Sequence, residues 1–167
     1  DPVDVTVLAA DAVRDAKALD PDRPVTLTGR GGPLGPTLVL GDDARLRQVV
    51  GNLLANALRH TPAGSPVQIA VGPDAADYGV VEVRDHGPGV PAEQVRSVFE
   101  RFFRADASRQ RASGGSGLGL AIVAAIVAGH RGQVGITRTP GGGATFAVRI
   151  PLAFTGNFQE PPSDQSI

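Results

Sequence analysis

Two asparagines, Asn52 and Asn56, lie four residues apart in a segment whose apolar residues recur at helical spacing. Residues four apart on an α-helix share a face, so this face is expected to carry two side-chain amides. Magnesium prefers oxygen ligands and keeps several waters, so one amide oxygen together with phosphate oxygens is a sufficient anchor for it. We therefore identify Asn56 as a candidate metal ligand. Taken alone, such a pair is more often a set of surface or capping residues.

Two further polar residues, Arg59 and His60, follow Asn56 by three and four positions on the same side of the predicted helix. A guanidinium in this position can meet phosphate oxygens, and an imidazole can lie against a nucleobase. A histidine at a helix end without any ligand is the alternative interpretation of His60.

An acidic residue, Asp85, follows a predicted strand and precedes Gly87 and Gly89, which allow the chain to turn sharply beside a flat ring. Its carboxylate can accept a hydrogen bond from the exocyclic amine of adenine, whereas guanine presents a carbonyl at that position. A charged hydrogen bond contributes about 1.5–3 kcal/mol, or roughly tenfold or more in affinity, so we expect selectivity for adenine. An Asp-Gly turn without any ligand is the alternative.

Three glycines, Gly115, Gly117 and Gly119, lead into an apolar segment, residues 118–128, that is predicted to be a helix. Free backbone N–H groups and the positive end of a helix suit phosphate oxygens. A dinucleotide-binding motif would follow the first strand directly and have an acid about 20 residues further on. Because this context is missing, NAD binding is disfavoured. The asparagine pair, Asp85 and these glycines together predict a site for ATP and a divalent cation.

The segment between the two glycine groups mixes arginines with phenylalanines. The functional interpretation is a mobile lid that closes on the phosphates, and the alternative is a solvated basic loop whose aromatic residues join the core. Its members are Phe99, Arg101, Phe102, Phe103, Arg104, Arg109 and Arg111.

The elements that position these residues can be predicted from periodicity and from turn residues. Helices are expected over residues 5–16, from a cap at residues 41–43 to near residue 62, and over 118–128, with a short one possible at 91–98. Strands are expected at residues 25–28, 37–40, 67–71, 80–84, 133–139 and 144–151. The first two could pair as a hairpin. This order favours an α+β fold, a two-layer sandwich with about three helices on one face of a mixed, largely antiparallel five-stranded sheet. A doubly wound sheet fits less well.

Composition limits the classes of function. With 167 residues, 41% of them hydrophobic, the chain can form one core, and we expect a domain over residues 1–153 and a flexible tail over 154–167. A net charge of −1 argues against nucleic-acid binding, and the absence of cysteine excludes thiolate chemistry. No apolar run approaches the roughly 20 residues of a membrane span. Because the chain lacks methionine, including an initiator, we interpret it as a piece of a longer protein or as a processed product.

With these motifs, the chain resembles the catalytic and ATP-binding domain of bacterial sensor histidine kinases, over about residues 4–151. Residues 52–62 resemble the asparagine box of that family, 85–89 its first glycine box, 99–104 its phenylalanine box and 115–120 its second glycine box. The resemblance implies a fold shared with type II topoisomerases, heat-shock chaperones and mismatch-repair ATPases, in which ATP and Mg²⁺ lie between helices under a lid.

The resemblance also carries roles over to individual residues. It implies that Asn56 binds the metal, that Asn52 and Arg59 contact phosphate, and that His60 and Asp85 contact adenine. Asn52, Arg59 and Arg104 are the implied catalytic residues. The remaining implied ATP-binding residues are Gly87, Gly89, Val90, Phe103, Gly115, Ser116, Gly117, Leu118, Gly119 and Leu120.

One position distinguishes this chain from the hydrolytic members that it resembles. Those members carry a glutamate four residues before the metal-binding asparagine, where it takes a proton from water. Asn52 occupies that position here, and an amide cannot act as a base, so we expect slow hydrolysis.

The phosphate acceptor in the family is a histidine on a separate dimerisation domain. None of His60, His86 and His130 has the acidic and proline-containing setting of that residue. We therefore expect no autophosphorylation by this chain alone, and expect as partners a dimerisation and phosphoacceptor domain of the same parent protein and a response regulator. The parent would be a membrane-bound sensor, with this part cytoplasmic and without direct membrane contact. The alternatives are a degenerate ATP-binding sensor and a serine kinase or ATPase of the same superfamily.

Overall fold

The computed structural model of the chain describes residues 1–87 and 118–154, and the elements are numbered over these residues. They follow one another in the order β1 (Pro2–Asp4), α1 (Val5–Leu19), β2 (Val25–Gly29), β3 (Leu38–Leu40), α2 (Asp43–Arg59), β4 (Val67–Pro73), β5 (Tyr78–Arg84), α3 (Leu118–Gly129), β6 (Gln133–Arg138) and β7 (Ala144–Pro151). The predicted lid, the possible helix at residues 91–98 and the tail from residue 155 onward lie outside the described residues.

The main sheet has five strands in the order β2-β4-β5-β7-β6, and only the β2–β4 pair is parallel. Its buried residues stand in register: Ile69 pairs with Val83, Val83 with Phe146 and Phe146 with Ile136. The three helices cover this face, where α1 contacts β2 and β4, α2 contacts β5, and α3 contacts β6 and β7. The predicted α+β sandwich is therefore confirmed.

The opposite face of the sheet carries charged side chains. Glu82 accepts hydrogen bonds from Arg30 Nε at 2.7 Å and from Arg84 Nη2 at 2.7 Å. Burial alone raises the pKa of Glu82, but the hydrogen bonds and the positive charges of the two arginines together outweigh burial and hold the pKa below its ordinary value. An antiparallel sheet commonly has one face in the core and one solvated face, which accounts for helices on a single side.

Two aspartates begin the first two helices. The Asp4 carboxylate accepts hydrogen bonds from Thr6 N at 3.0 Å and from Thr37 N at 3.1 Å, and the Asp42 carboxylate accepts one from Arg45 N at 3.0 Å. Such N-caps satisfy backbone donors that lack an intrahelical partner. The predicted first helix and the predicted cap of the second are both confirmed.

The hairpin suggested between residues 25–28 and 37–40 is wrong. β2 pairs with β4, and β3 pairs with β1 in a separate two-stranded antiparallel sheet. The connection after β2 folds back on itself, so closely that a Cβ at Gly29 would lie 2.1 Å from the Gly32 carbonyl oxygen. Arg30 N then donates to Val71 O at 2.9 Å, which extends the β2–β4 pairing. β1 was missed because three residues beginning with proline show no periodicity.

No helix within residues 1–87 and 118–154 is both long enough and apolar enough to cross a membrane.

Candidate functional site

Helix α2 carries both asparagines of the predicted site. Asn56 is buried, with 8% of its surface exposed, and Asn52 is partly exposed. Asn52 Nδ2 donates a long hydrogen bond of 3.4 Å to the carbonyl oxygen of Gly119, in the first turn of α3. The structure therefore brings the asparagine pair against the start of the helix that follows the second glycine group.

The amide oxygen of Asn56 is buried and has no hydrogen-bond donor among the described residues. An unpaired polar atom of this kind costs about 1–3 kcal/mol in the folded protein. A metal ion satisfies such an oxygen without any donor, so Asn56 fits the predicted divalent cation. No cluster of three or more histidine, aspartate or glutamate side chains in the described part of the chain could hold an ion. A cation at Asn56 would thus depend on phosphate oxygens and water for its other ligands.

The carboxylate of Asp85 is oriented by backbone groups at the end of β5. Asp85 is 5% exposed, and its Oδ1 accepts hydrogen bonds from Gly87 N at 3.1 Å and Ala144 N at 3.0 Å. Asp85 N donates in turn to Ala144 O at 2.9 Å. Within residues 1–87 and 118–154, no group donates a hydrogen bond to Oδ2.

Gly143 is a further residue on which this geometry depends, and the sequence analysis treated it only as part of a turn between strands. Its φ of +106° lies in the left-handed region, and a Cβ there would lie 2.1 Å from Asp85 O. Only glycine allows the β6–β7 turn to approach Asp85 this closely. The three consecutive glycines at residues 141–143 were visible in the sequence, but nothing in the sequence showed which strand end they meet.

Gly87 packs against the side chain of Thr61, a residue to which sequence reasoning gave no role. Thr61 is buried, and its Oγ1 donates to Ala57 O at 2.7 Å. A Cβ at Gly87 would lie 2.8 Å from Thr61 Cγ2 and 3.4 Å from His60 O, so the turn after β5 rests directly on the end of α2.

Arg59 and His60 lie at the C-terminal end of α2, one turn beyond Asn56. Arg59 is the last helical residue, and His60 is the C-cap, whose backbone N donates to Asn56 O at 3.1 Å. Both residues are exposed, and neither side chain makes a hydrogen bond to another described residue. Their roles toward phosphate and base stay predictions.

Of the second glycine group, the structure describes only the end. Gly119 packs on Asn52, since a Cβ at Gly119 would be 3.7 Å from Asn52 Cβ. The Leu120 side chain is 1% exposed and belongs to the hydrophobic core, so only its backbone remains for a ligand. Leu118 begins α3. The other candidates, Gly89, Val90, Phe103, Arg104, Gly115, Ser116 and Gly117, lie outside the described residues.

His130 connects α3 to the start of α2, which is the end of α2 remote from Thr61. Its Nε2 accepts a hydrogen bond from Asp42 N at 3.1 Å, and its Nδ1 lies 2.8 Å from Ile126 O. Because a carbonyl can only accept, the ring carries its proton on Nδ1. Both ring nitrogens are engaged within the fold, which gives His130 a structural role.

These contacts give the site a direction along α2. Asn52 meets Gly119 at one end, and Thr61 meets Gly87 beside Asp85 at the other. The helical part between these ends, from Asn52 to Arg59, spans about 10 Å at 1.5 Å per residue, and Thr61 lies two residues beyond it. The arrangement suits an elongated ligand with an anionic end near the start of α3 and a ring near Asp85.

Comparisons with known proteins find a matching family and similar sequences and structures. Residues 41–154 match the family described as histidine kinase-, DNA gyrase B-, and HSP90-like ATPase. The probable sensor histidine kinase TcrY of Mycobacterium tuberculosis is 48% identical over 151 residues, which cover 90% of this chain and 31% of TcrY. This chain thus spans about a third of the length of that curated relative.

Two solved structures are also similar. The mycobacterial sensor histidine kinase MprB superposes with a TM-score of 0.75 at 29% identity, covering 91% of this chain and 97% of the MprB chain. The ATP binding domain of PrrB from Mycobacterium tuberculosis superposes with a TM-score of 0.72 at 33% identity, covering 92% of this chain and 98% of the PrrB domain.

Proposed function

Because the chain belongs to the family of histidine kinase-, DNA gyrase B-, and HSP90-like ATPases, we propose that it is the ATP- and Mg²⁺-binding catalytic domain of a bacterial sensor histidine kinase. It donates the γ-phosphoryl group of ATP to a histidine on a separate dimerisation domain of the parent protein, for relay to a response regulator. Two observations carry the proposal together: the buried amide oxygen of Asn56 on α2 has no donor among the described residues, and backbone N–H groups orient the Asp85 carboxylate after β5.

Asp85 selects the base in this proposal. Its Oδ1 is occupied by two backbone N–H groups, so the carboxylate cannot rotate away without losing both hydrogen bonds. Oδ2 then accepts from the exocyclic amine of adenine. Guanine would place a carbonyl oxygen against the same carboxylate, and two acceptors repel each other.

Asn56 would hold Mg²⁺ through its amide oxygen, and the ion would neutralise charge on the phosphate oxygens. Arg59, at the exposed end of α2, contributes a second cationic group toward phosphate. The resemblance gives Arg104 of the lid a catalytic role as well, which stays a prediction.

Asn52 explains why the phosphoryl group is kept for a histidine. Its side chain donates to Gly119 O and contains no group basic enough to deprotonate water. Hydrolysis is therefore slow, and transfer requires a nucleophile from outside this chain. Asn52 therefore also argues against a hydrolase of the superfamily. The presence of both Asn56 and the oriented Asp85 carboxylate argues against a degenerate sensor.

The partners and the location follow from this function. The partners are the dimerisation and phosphoacceptor domain of the same parent protein and its response regulator, with no nucleic acid. The parent is a membrane-bound sensor, and this domain lies in the cytoplasm without touching the bilayer.

Phosphoryl transfer tests the proposal. The chain is incubated with γ-labelled ATP and Mg²⁺, alone and together with the separately expressed dimerisation domain of its parent. We expect label on the dimerisation domain only, and loss of that label with Asn56→Ala. Stable label on this chain alone, or rapid phosphate release without transfer, would contradict the proposed function.

A further inference from the structure

Arg23 is a buried arginine with no acidic partner among the described residues. It is 6% exposed and lies between two prolines in the connection from α1 to β2. Its Nε donates to Ser65 O at 2.7 Å, its Nη1 to Leu58 O at 3.3 Å, and its Nη2 to the hydroxyls of Thr61 and, at 3.3 Å, Ser65. A guanidinium is expensive to bury, so this arrangement requires all of these acceptors.

The acceptors of Arg23 belong to the C-terminal end of α2 and the loop after it. The last carbonyls of a helix lack intrahelical donors and carry partial negative charge, which favours a cation at this position. Leu58 O is one such carbonyl, and Thr61 Oγ1 connects Arg23 to another by donating to Ala57 O at 2.7 Å. Arg23 thus holds the Thr61 hydroxyl in one orientation.

Thr61 transmits this constraint to Asp85. Its methyl group packs on Gly87, where a Cβ would lie 2.8 Å from Thr61 Cγ2. Gly87 N then donates to Asp85 Oδ1 at 3.1 Å. Three segments far apart in sequence, at Arg23, Thr61 and Asp85–Gly87, therefore form one continuous set of contacts, from a buried cation to the carboxylate that would meet the base.

We propose that Arg23 is a positioning residue of the nucleotide site, which acts through Thr61 and Gly87 to set the selectivity of Asp85 for adenine. The inference rests on the proposed function, because it assigns Asp85 to the adenine amine. Arg23 itself touches no ligand. Its contribution therefore concerns which base is bound, in addition to any effect on folding.

The test compares affinities for ADP and for inosine diphosphate, whose base has a carbonyl in place of the amine. Both are measured by calorimetry well below Tm, for the wild-type chain and for Arg23→Lys. Lysine keeps the charge but cannot reproduce the fork of donors. We expect the wild type to prefer ADP by about tenfold, the scale of one hydrogen bond, and the variant to lose most of that preference.

Arg149→Lys is the matched control. Arg149, on β7, is partly buried and donates to the Asp74 carboxylate; it pairs with Val80 near the start of β5, whereas Asp85 follows the end of that strand. The Arg149→Lys variant should have a lower Tm than the wild type and an unchanged ratio of ADP to inosine diphosphate affinity. A ratio in Arg23→Lys that equals that of the wild type, with only Tm reduced, would overturn the inference and make Arg23 purely structural.

Two variants of Thr61 decide the matter if Arg23→Lys does not fold. Thr61→Val keeps a methyl group against Gly87 but removes the hydroxyl that Arg23 contacts, and Thr61→Ser keeps the hydroxyl but removes the methyl group that packs on Gly87. Each variant breaks one link between Arg23 and Asp85, so each should reduce the selectivity. Wild-type selectivity in either variant would overturn the inference. A wild-type chain that binds neither nucleotide would refute the proposed function, and the inference with it, so the two failures are distinguishable.

Discussion

Replacing Gly143 with alanine is expected to weaken nucleotide binding through Asp85, although residue 143 lies on a turn between two strands. The added Cβ would lie 2.1 Å from Asp85 O and 2.7 Å from Asp85 C. Both atoms are backbone, so no side-chain rotation can relieve the overlap. The turn and the end of β5 must move apart, which disrupts the hydrogen bonds that join Asp85 and Ala144.

Gly143→Ala lowers the free energy of unfolding in two ways, through backbone strain and through steric overlap with Asp85. The same substitution at the neighbouring Gly142 causes only the strain. Gly142 has φ +115° and Gly143 has φ +106°, so alanine at either position costs about 1–2 kcal/mol in backbone strain. A Cβ at Gly142 meets nothing within 4 Å. Gly143→Ala adds the loss of about two hydrogen bonds at Asp85, about 1–3 kcal/mol more, so roughly 2–5 kcal/mol in total.

The assay pairs urea denaturation with calorimetric titration of a non-hydrolysable ATP analogue. Gly142→Ala should lose stability and keep the affinity of the wild type within about twofold. Gly143→Ala should lose more stability and bind at least about tenfold more weakly, as expected for loss of one hydrogen bond to the base. If both variants bind the analogue equally well, the turn does not position Asp85 and the reasoning fails.

Three further predictions concern other parts of the fold. Because the pKa of Glu82 lies below its ordinary value, its stabilisation is complete above about pH 4.3 and is lost as pH falls through the lowered pKa. Glu82→Gln should therefore flatten the dependence of unfolding free energy on pH between about pH 5 and 3; an unchanged slope in urea denaturation would contradict this. Asn56→Ala should reduce the strengthening of ATP-analogue binding by Mg²⁺ at least about tenfold, and an intact Mg²⁺ effect in the titration would remove Asn56 as a ligand. His130→Ala should cost about 1–2 kcal/mol because Asp42 N loses its acceptor, and an unshifted urea midpoint would show that this contact contributes nothing.

Sequence alone predicts those elements whose own residues carry their pattern. The apolar spacing of α2 and the Asp42 cap define that helix, and a helical spacing of four then brings Asn52 and Asn56 near one another without any knowledge of the tertiary structure. β5 is similarly apparent from its valines, so the position of Asp85 at a strand end also follows from the sequence. The family resemblance then supplied the roles.

Contacts between distant segments could not be predicted in this way. Arg23 and Thr61 are 38 positions apart, and Gly143 and Asp85 are 58 apart, so no local periodicity connects them. The pairing of β1 with β3 depends on three-residue strands, which are too short to show an alternation. In each case tertiary packing determines the role of a residue whose local sequence is unremarkable.

The most direct test of the account is calorimetric titration of the chain with a non-hydrolysable ATP analogue, with and without Mg²⁺, beside the Asp85→Asn variant. The account predicts saturable binding that Mg²⁺ strengthens. It predicts binding at least about tenfold weaker in the variant, because the NH2 group of the asparagine side chain is a donor and cannot accept a hydrogen bond from the adenine amine. Absence of binding by the wild-type chain, or equal binding by Asp85→Asn, would contradict the central claim that Asp85 and α2 form an adenine nucleotide site.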